Sequence, residues 1–275
     1  YVTPMFKPHN LILSSYSITD VGINRENNED HCSGKDFSSG KVFTTNIFES
    51  VVLEDTIIQI IADGMWGCMG GEIACEFCSH YFILEMDENI VHIKGSSSIT
   101  FLREGIMQKC HSKLTKRSHQ DKSLEGMGTT LTAAIFKEDS LHISHVGDSR
   151  LYRFRDKQLK QLTEDQSPVG ELQRSGYLSK EAARTHPDRH LIDQALGGGL
   201  PFINPQHKSV AIEHGDFILI CTDGLTDSIP ENQIQSILNG ATPNNLKAIS
   251  QSLVETALEL DGSDNITLTL VYISG

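Results

Sequence analysis

Two stretches of the chain repeat one arrangement: "IQIIADG" at 58–64 and "ILICTDG" at 218–224 each run an apolar segment into an aspartate and then a glycine. Counting the neighbouring patterns, four acids stand at the ends of strand-like runs: Asp63, Asp148 in "HVGDSR", Asp223, and Asp264 in "GSDNIT", just ahead of one. A lone Asp-Gly is most often a hairpin turn. Here neither "ADGMWG" nor "TDGLTD" is followed by a returning strand, so neither fits a tight hairpin. If the runs are strands of one sandwich ending at one edge, the carboxylates converge. Two carboxylates about 4 Å apart repel by roughly 4 kcal/mol at an effective dielectric near 20, so a converged set needs cations. An all-oxygen set without His or Cys selects hard ions, Mg²⁺ or Mn²⁺ ahead of Zn²⁺. The glycine after each acid lets a backbone carbonyl approach an ion where a side chain would obstruct it. In "DVGINRENNED", residues 20–30, Arg25 lies five residues before Asp30, with Glu29 alongside. An arginine in a charged loop is commonly a solvated surface group. Beside a cation cluster it completes a set for phosphoryl hydrolysis, in which ions activate water and the guanidinium positions phosphate.

The elements that must position these groups are short strands at 56–62, 131–136, 141–146, 151–154, 217–222 and 266–273, all apolar or β-branched and mostly bounded by turn residues. "KED" and "RDKQ" are short enough to make consecutive strands antiparallel. Helical spacing appears in "NNLKAISQSLVETALEL", where Leu246, Ile249, Leu253, Val254, Ala257 and Leu258 share a face after the start signal Thr242-Pro243-Asn244. "GGEIACEFCSHYFILEM" and "ITFLREGIMQKCHSKL" read as two more helices, and 33–41, 95–98 and 197–205 as loops. Antiparallel strands with helices between them predict an α+β layered domain.

The 275 residues, 38% hydrophobic and 21% charged, suit a soluble globular chain with a sizeable core. Lys and Arg total 23 against 36 Asp and Glu, a formal charge of −13 that argues against nucleic acid or an anionic membrane surface as partner. No apolar run approaches the roughly 20 residues of a membrane span, and "YVTPMFKPHN" has no basic stretch leading into an apolar one. Six cysteines without a disulfide spacing read as reduced, hence a cytoplasmic location; Cys75-x-x-Cys78 stands alone and reads as a packed helix face.

With these motifs in hand, the chain resembles the PPM (type 2C) family of metal-dependent protein serine/threonine phosphatases in its bacterial form. The resemblance rests on "DVGINRENNED", "ADGMWGCMGGEIA", "MGTTL", "HVGDSRLYRF", residues 162–197, "CTDGLTD" and "GSDNIT" in family order from 20 to 268. It implies a single phosphatase domain over 1–275, a central sandwich of two antiparallel sheets flanked by helices (four layers, αββα), and a flap segment at about 162–197 beside the active site. It implies that Asp63 bridges two Mg²⁺ or Mn²⁺ ions with the Gly64 carbonyl on one, and that Asp223 and Asp264 complete the other's shell. Asp30, with Glu29 less directly, would serve the ion on the Gly64 side, and Asp148 with Asp223 would hold a third, weaker ion. Arg25 matches the phosphate-binding arginine, so Arg25, Asp30, Asp63 and Asp223 form the expected catalytic set. The implied reaction is attack of metal-bridged water on a phosphoserine or phosphothreonine ester, without a phosphoenzyme. The implied partners are a phosphorylated protein and a cognate Ser/Thr kinase pathway, with the enzyme a monomer.

The chain departs from the family at Trp66, Gly67 and Cys68, which stand where most bacterial relatives carry Gly-Gly-His, and Met65 replaces the general-acid histidine of some relatives. His186 and His190 are the flap groups that could protonate a leaving oxygen. No C-x5-R loop is present, so Cys68 and Cys221 are not expected nucleophiles. Two other readings compete: a catalytically weak phosphoprotein-binding module, which the presence of every metal-site acid disfavours, and a small-molecule phosphoesterase, for which no P-loop or base-stacking pattern is found.

Overall fold

The computed structural model describes residues 11–65, 70–90 and 96–275; Trp66, Gly67, Cys68 and the stretch "YVTPMFKPHN" lie outside the described residues. In chain order the strands are β1 (Ile12–Asp20), β2 (Asp30–Asp36), β3 (Val42–Phe43), β4 (Phe48–Val52), β5 (Thr56–Met65), β6 (Gly128–Thr129) and β7 (Leu131–Lys137). They continue with β8 (Ser140–Val146), β9 (Arg150–Arg155), β10 (Gln158–Gln161), β11 (Leu196–Gly197), β12 (Gln206–Ala211), β13 (Phe217–Cys221) and β14 (Ile266–Ser274). The helices are α1 (Gly71–Asn89), α2 (Ser96–Gln120), α3 (Pro168–Arg174), α4 (Lys180–Arg184), α5 (Asp223–Ser228), α6 (Glu231–Leu238) and α7 (Leu246–Leu260).

Period-two alternation builds two antiparallel sheets and buries both faces of their central strands. One sheet is ordered β10-β9-β13-β14-β1-β4; in the other, β6-β5-β7-β8-β12 run side by side, and β2 also pairs with β5. On β5, Ile57 and Ile61 face the other sheet while Ile58 and Ile60 face α1 and α2. On β13, Ile218 and Ile220 point between the sheets, and Phe217, Leu219 and Cys221 point toward α5, α6 and α7. The result is helices, sheet, sheet, helices, the layering that the family resemblance implies. Burial on both faces is why "TIIQIIA" and "FILIC" read as unbroken apolar runs.

Turn chemistry closes the hairpins. Asp156 (φ 50) and Lys157 (φ 61) both take the left-handed region between β9 and β10, the pattern of a two-residue hairpin loop whose twist matches its strands. The apolar stripe read at 246–258 is the buried face of α7, with Leu246, Ile249, Leu253, Val254 and Ala257 covered. Cys78 is buried within the helix–sheet core and packs as a small apolar side chain, whereas the buried Cys75 thiol donates to the Glu29 carbonyl at 2.9 Å.

Four expectations change. Strand β5 runs through Met65, so Asp63 sits inside the ladder instead of after it. The loop expected at 33–41 is half strand: Gly34 and its neighbours pair with β5 as β2, because a strand covered on one side by α1 tolerates Gly and Ser. Strands β1, β4 and β12 also escape the apolar pattern, since β1 buries the serines Ser14, Ser15 and Ser17 and β12 carries exposed lysine and serine. Helix α2 begins at Ser96, inside the predicted loop at 95–98. Among the described residues, no helix is long and apolar enough to cross a membrane.

Candidate metal centre and active site

The acids converge because of strand register. Strands β2 and β5 run antiparallel with Asp30 opposite Asp63, so two carboxylates 33 positions apart in sequence become direct neighbours. The Asp63 backbone is pinned on both sides: its N–H donates to Thr130 Oγ1 at 3.0 Å, and its carbonyl accepts from Thr130 N at 2.9 Å and from Thr129 Oγ1 at 2.9 Å. Gly64 N donates to the Glu29 carbonyl at 3.1 Å. A Cβ on Gly64 would lie 2.4 Å from the Gly71 carbonyl carbon, so the start of α1 rests on the bare strand backbone only because residue 64 has no side chain.

The other sheet delivers the remaining acids. Asp223 opens α5 directly behind β13, and Asp264 precedes β14, the strand beside it. Thr222 Oγ1 donates to Asp30 Oδ2 at 2.8 Å and bridges the sheets at the site. Asn265 ties the Arg25 loop down: its Oδ1 accepts from Glu29 N at 2.8 Å and its Nδ2 donates to the carbonyls of Val21 at 2.8 Å and Asn27 at 3.0 Å. Arg25 Nη2 donates to Asp264 Oδ2 at 2.8 Å, which places the guanidinium at the rim of the acids. Asp148 is buried just beyond β8, where Gly147 (φ 111) makes a reciprocal pair of hydrogen bonds with Gln166.

Burial and mutual repulsion raise these carboxyls. Asp30 is pushed up to about 7 by burial, against the hydrogen bonds of Thr267 and Thr222, with the charges of Asp223 and Asp264 adding. Asp63 stands well above the usual carboxylate range through burial, then through Asp30, Asp223, Asp148 and Asp264. Asp148 is raised by burial and then by Asp223, and Asp223 by burial and then by Asp264. Burial also raises Glu29, although Arg25 opposes it. Asp30 Oδ1 and Asp223 Oδ1 are buried without a hydrogen-bond partner among the described residues. Stranded acceptors in an all-oxygen set are what hard divalent ions satisfy, so the residues fit the expected Mg²⁺ or Mn²⁺.

Sequence reasoning missed Asp227. Burial and Asp223 push it up to about 7, and one ligand atom each from His190, Asp223 and Asp227 lie within 4.8 Å of one another. The signal was present: Asp223 and Asp227 are i and i+4 on α5, one face of a helix. Of the two flap histidines, His190 Nδ1 stands 3.3 Å from Asp227 Oδ2, whereas His186 faces Asp188 at 3.9 Å. Cys221 is no nucleophile: burial pushes its thiol up to about 12, and it lies in the helix–sheet core. The predicted flap contains α3 and α4, each capped by a serine: Ser167 Oγ accepts from Gly170 N at 3.0 Å and Ser179 Oγ from Ala182 N at 3.2 Å.

The family model described as "Protein phosphatase 2C" matches residues 47–258. The chain is 34% identical over 253 residues to the serine/threonine phosphatase stp of Listeria welshimeri, covering 92% of this chain and 93% of that one. A serine/threonine phosphatase structure from S. agalactiae superposes with TM-score 0.79 at 29% identity, covering 94% of this chain and 99% of that one. The catalytic domain of the phosphatase PstP in complex with two manganese ions superposes with TM-score 0.76 at 27% identity, covering 96% and 100%. The motif order, the four-layer sandwich and these likenesses agree: the chain belongs to the protein phosphatase 2C family.

Proposed function

We propose that this protein is a divalent-metal-dependent phosphatase that removes phosphate from phosphoserine and phosphothreonine in proteins, opposing a serine/threonine kinase. The observation that carries the reading is the convergence of Asp30, Asp63, Asp223 and Asp264 from separate elements, with the carboxyls of Asp30, Asp63 and Asp223 raised and two buried oxygens unpartnered among the described residues. Asp63, Asp30 and the Gly64 carbonyl would hold one ion, and Asp63, Asp223 and Asp264 a second. Asp148, Asp223 and Asp227 would serve a third, weaker ion. When bound, such ions supply Lewis acidity and lower the pKa of water toward neutrality. The chain's own part is positional. Threonines 129 and 130 fix the Asp63 backbone, Thr222 orients Asp30, and Asn265 holds the loop that carries Arg25. Arg25 would exchange part of its contact with Asp264 for a bidentate grip on substrate phosphate. The segment at 162–197 would act as the flap within one phosphatase domain, anchored by Gln166 against the Asp148 loop.

The test is Mn²⁺-dependent phosphate release from phosphothreonine, phosphoserine and phosphotyrosine peptides, with Mg²⁺ and EDTA arms and nucleotides for comparison. Turnover of the first two peptides that EDTA abolishes is the expected result. Turnover confined to nucleotides, or unchanged by EDTA, would overturn the proposal.

A further inference from the structure

Apart from the acidic site, the outer face of α1 and α2 carries a feature the chemistry does not use. Ile73, Phe77, Tyr81 and Leu84 follow one another along α1 and line a groove of about 610 Å³, closed on its other side by Arg117 of α2. The two aromatic rings stack, with centroids 5.8 Å apart and planes 9° from parallel. Each lies under a cation: Arg117 is 5.6 Å from the Phe77 ring and Lys113 is 5.9 Å from the Tyr81 ring. Glu76, the acid in the groove, faces His80 at 3.9 Å. Leu84 remains 52% exposed, which is unusual beside two half-covered aromatics and marks an apolar strip open to solvent.

The two walls of this strip differ in charge: α1 brings Glu72, Glu76 and Glu85, and α2 is basic. From Gly105 to Gln120 the chain has Lys109, Lys113, Lys116 and Arg117 and no acid, in a protein whose formal charge is −13. Lys109 is paired with Glu85 at 2.6 Å, so the cations that face the groove are Lys113 and Arg117, over the two aromatic rings. The helix that carries the groove starts at the acidic site. Gly71, the first residue of α1, packs against Glu29, whose Oε2 would lie 2.7 Å from a Cβ there. Glu72, one residue on, is close enough to Glu29 to act on its ionisation. At about 1.5 Å per helical residue, Phe77 and Tyr81 lie roughly 9 and 15 Å along α1 from that start. An extended peptide covers that distance in about three to five residues.

We propose that this groove is a docking site for the phosphoprotein substrate itself. It takes a segment a few residues from the phosphorylated one, with a bulky apolar side chain seated among Phe77, Tyr81 and Leu84 and carboxylates facing Lys113 and Arg117. The proposal rests on the phosphatase reading of the acidic site and adds a preference for acidic, apolar-anchored substrates. Local cations select such a segment from a protein surface that elsewhere repels it.

The experiment compares three substrates in saturating Mn²⁺. They are p-nitrophenyl phosphate, a short phosphothreonine peptide, and that peptide extended by a Leu- and Glu-bearing segment on its N-terminal or C-terminal side. One of the two extensions is expected to raise kcat/KM about tenfold, the gain from burying one such side chain. The exposed-charge variant Lys113→Glu/Arg117→Glu is expected to abolish that gain while leaving the two small substrates unchanged; Phe77→Ala gives the same result through the apolar contact. Neither extension improving turnover, or the charge reversal leaving the gain intact, overturns the docking site. So does binding of the wild type to anionic phospholipid vesicles that the reversal removes with no effect on peptides. Failure to turn over all three substrates would instead defeat the phosphatase reading, a separate result.

Discussion

Two buried charge clusters stand at the same edge of the sandwich and resolve burial in opposite ways. In one, Arg150 donates to both oxygens of Asp165, Nε at 3.0 Å to each and Nη2 at 2.6 Å to Oδ2, and Gln161 adds a bond of 2.8 Å. Burial pushes Asp165 up, but Arg150 outweighs it and the carboxyl ends below its ordinary value. In the other, only two residues back along the chain, Asp148 joins Asp63 and Asp223 where burial and like charge act together, and every carboxyl rises. The lesson is that burial alone does not mark a functional acid. What marks it is burial without a cationic partner in the chain, because such a site is complete only with a cation from outside.

The sharpest way to break the contrast is Asp63→Asn. It is expected to cut kcat/KM on a phosphothreonine peptide about 10³-fold or more, with an unchanged circular dichroism spectrum, if Asp63 is the metal ligand proposed above. Retained Mn²⁺-dependent turnover would remove Asp63 from the centre. At the paired cluster the effect moves from chemistry to stability. Arg150→Met leaves Asp165 without its cationic partner and is expected to cost about 3–5 kcal/mol in urea unfolding, much of it recovered by adding Asp165→Leu.

The next test uses protons. A carboxyl whose folded-state pKa is raised stabilises the fold below its unfolded value and loses that contribution as pH rises through the folded value; for Asp30 the window is 3.8 to about 7. Metal-free protein is therefore expected to lose about 5 °C or more of Tm between pH 5 and pH 8, and saturating Mn²⁺ to remove the loss. A Tm that rises over that range without metal would contradict the convergence. The smallest effect is expected at the half-exposed rim: Arg25→Ala raises KM about tenfold with kcat nearly unchanged, as one charge-assisted contact to substrate phosphate is lost.

Much of this was legible in the sequence. Strands buried on both faces announce themselves as apolar runs, which exposed the ends carrying Asp63 and Asp223 and made the α+β sandwich readable. Strand β2 did not announce itself, because "DHCSGKD" owes its conformation to the neighbouring β5 ladder and not to its own composition. The Asp30–Asp63 register was hidden for the same reason: pairing across 33 residues is a tertiary fact. Asp227 was hidden differently, since reading 223–228 as a strand end concealed its helical spacing. The supporting hydroxyls and amides, Thr130, Thr222 and Asn265, carry no pattern at all; only coordinates show which backbone they hold.

The pairing of β1 with β14 has a kinetic consequence. Asp20 stands opposite Ile266, and Arg25 touches Asp264 across 239 positions of chain. Contacts of such separation must close a long loop before they return any energy, so they form late. A chain diluted out of denaturant would regain its helices well before it could grip phosphate, and the interval between those two recoveries would time the zipping of a single pair of strands.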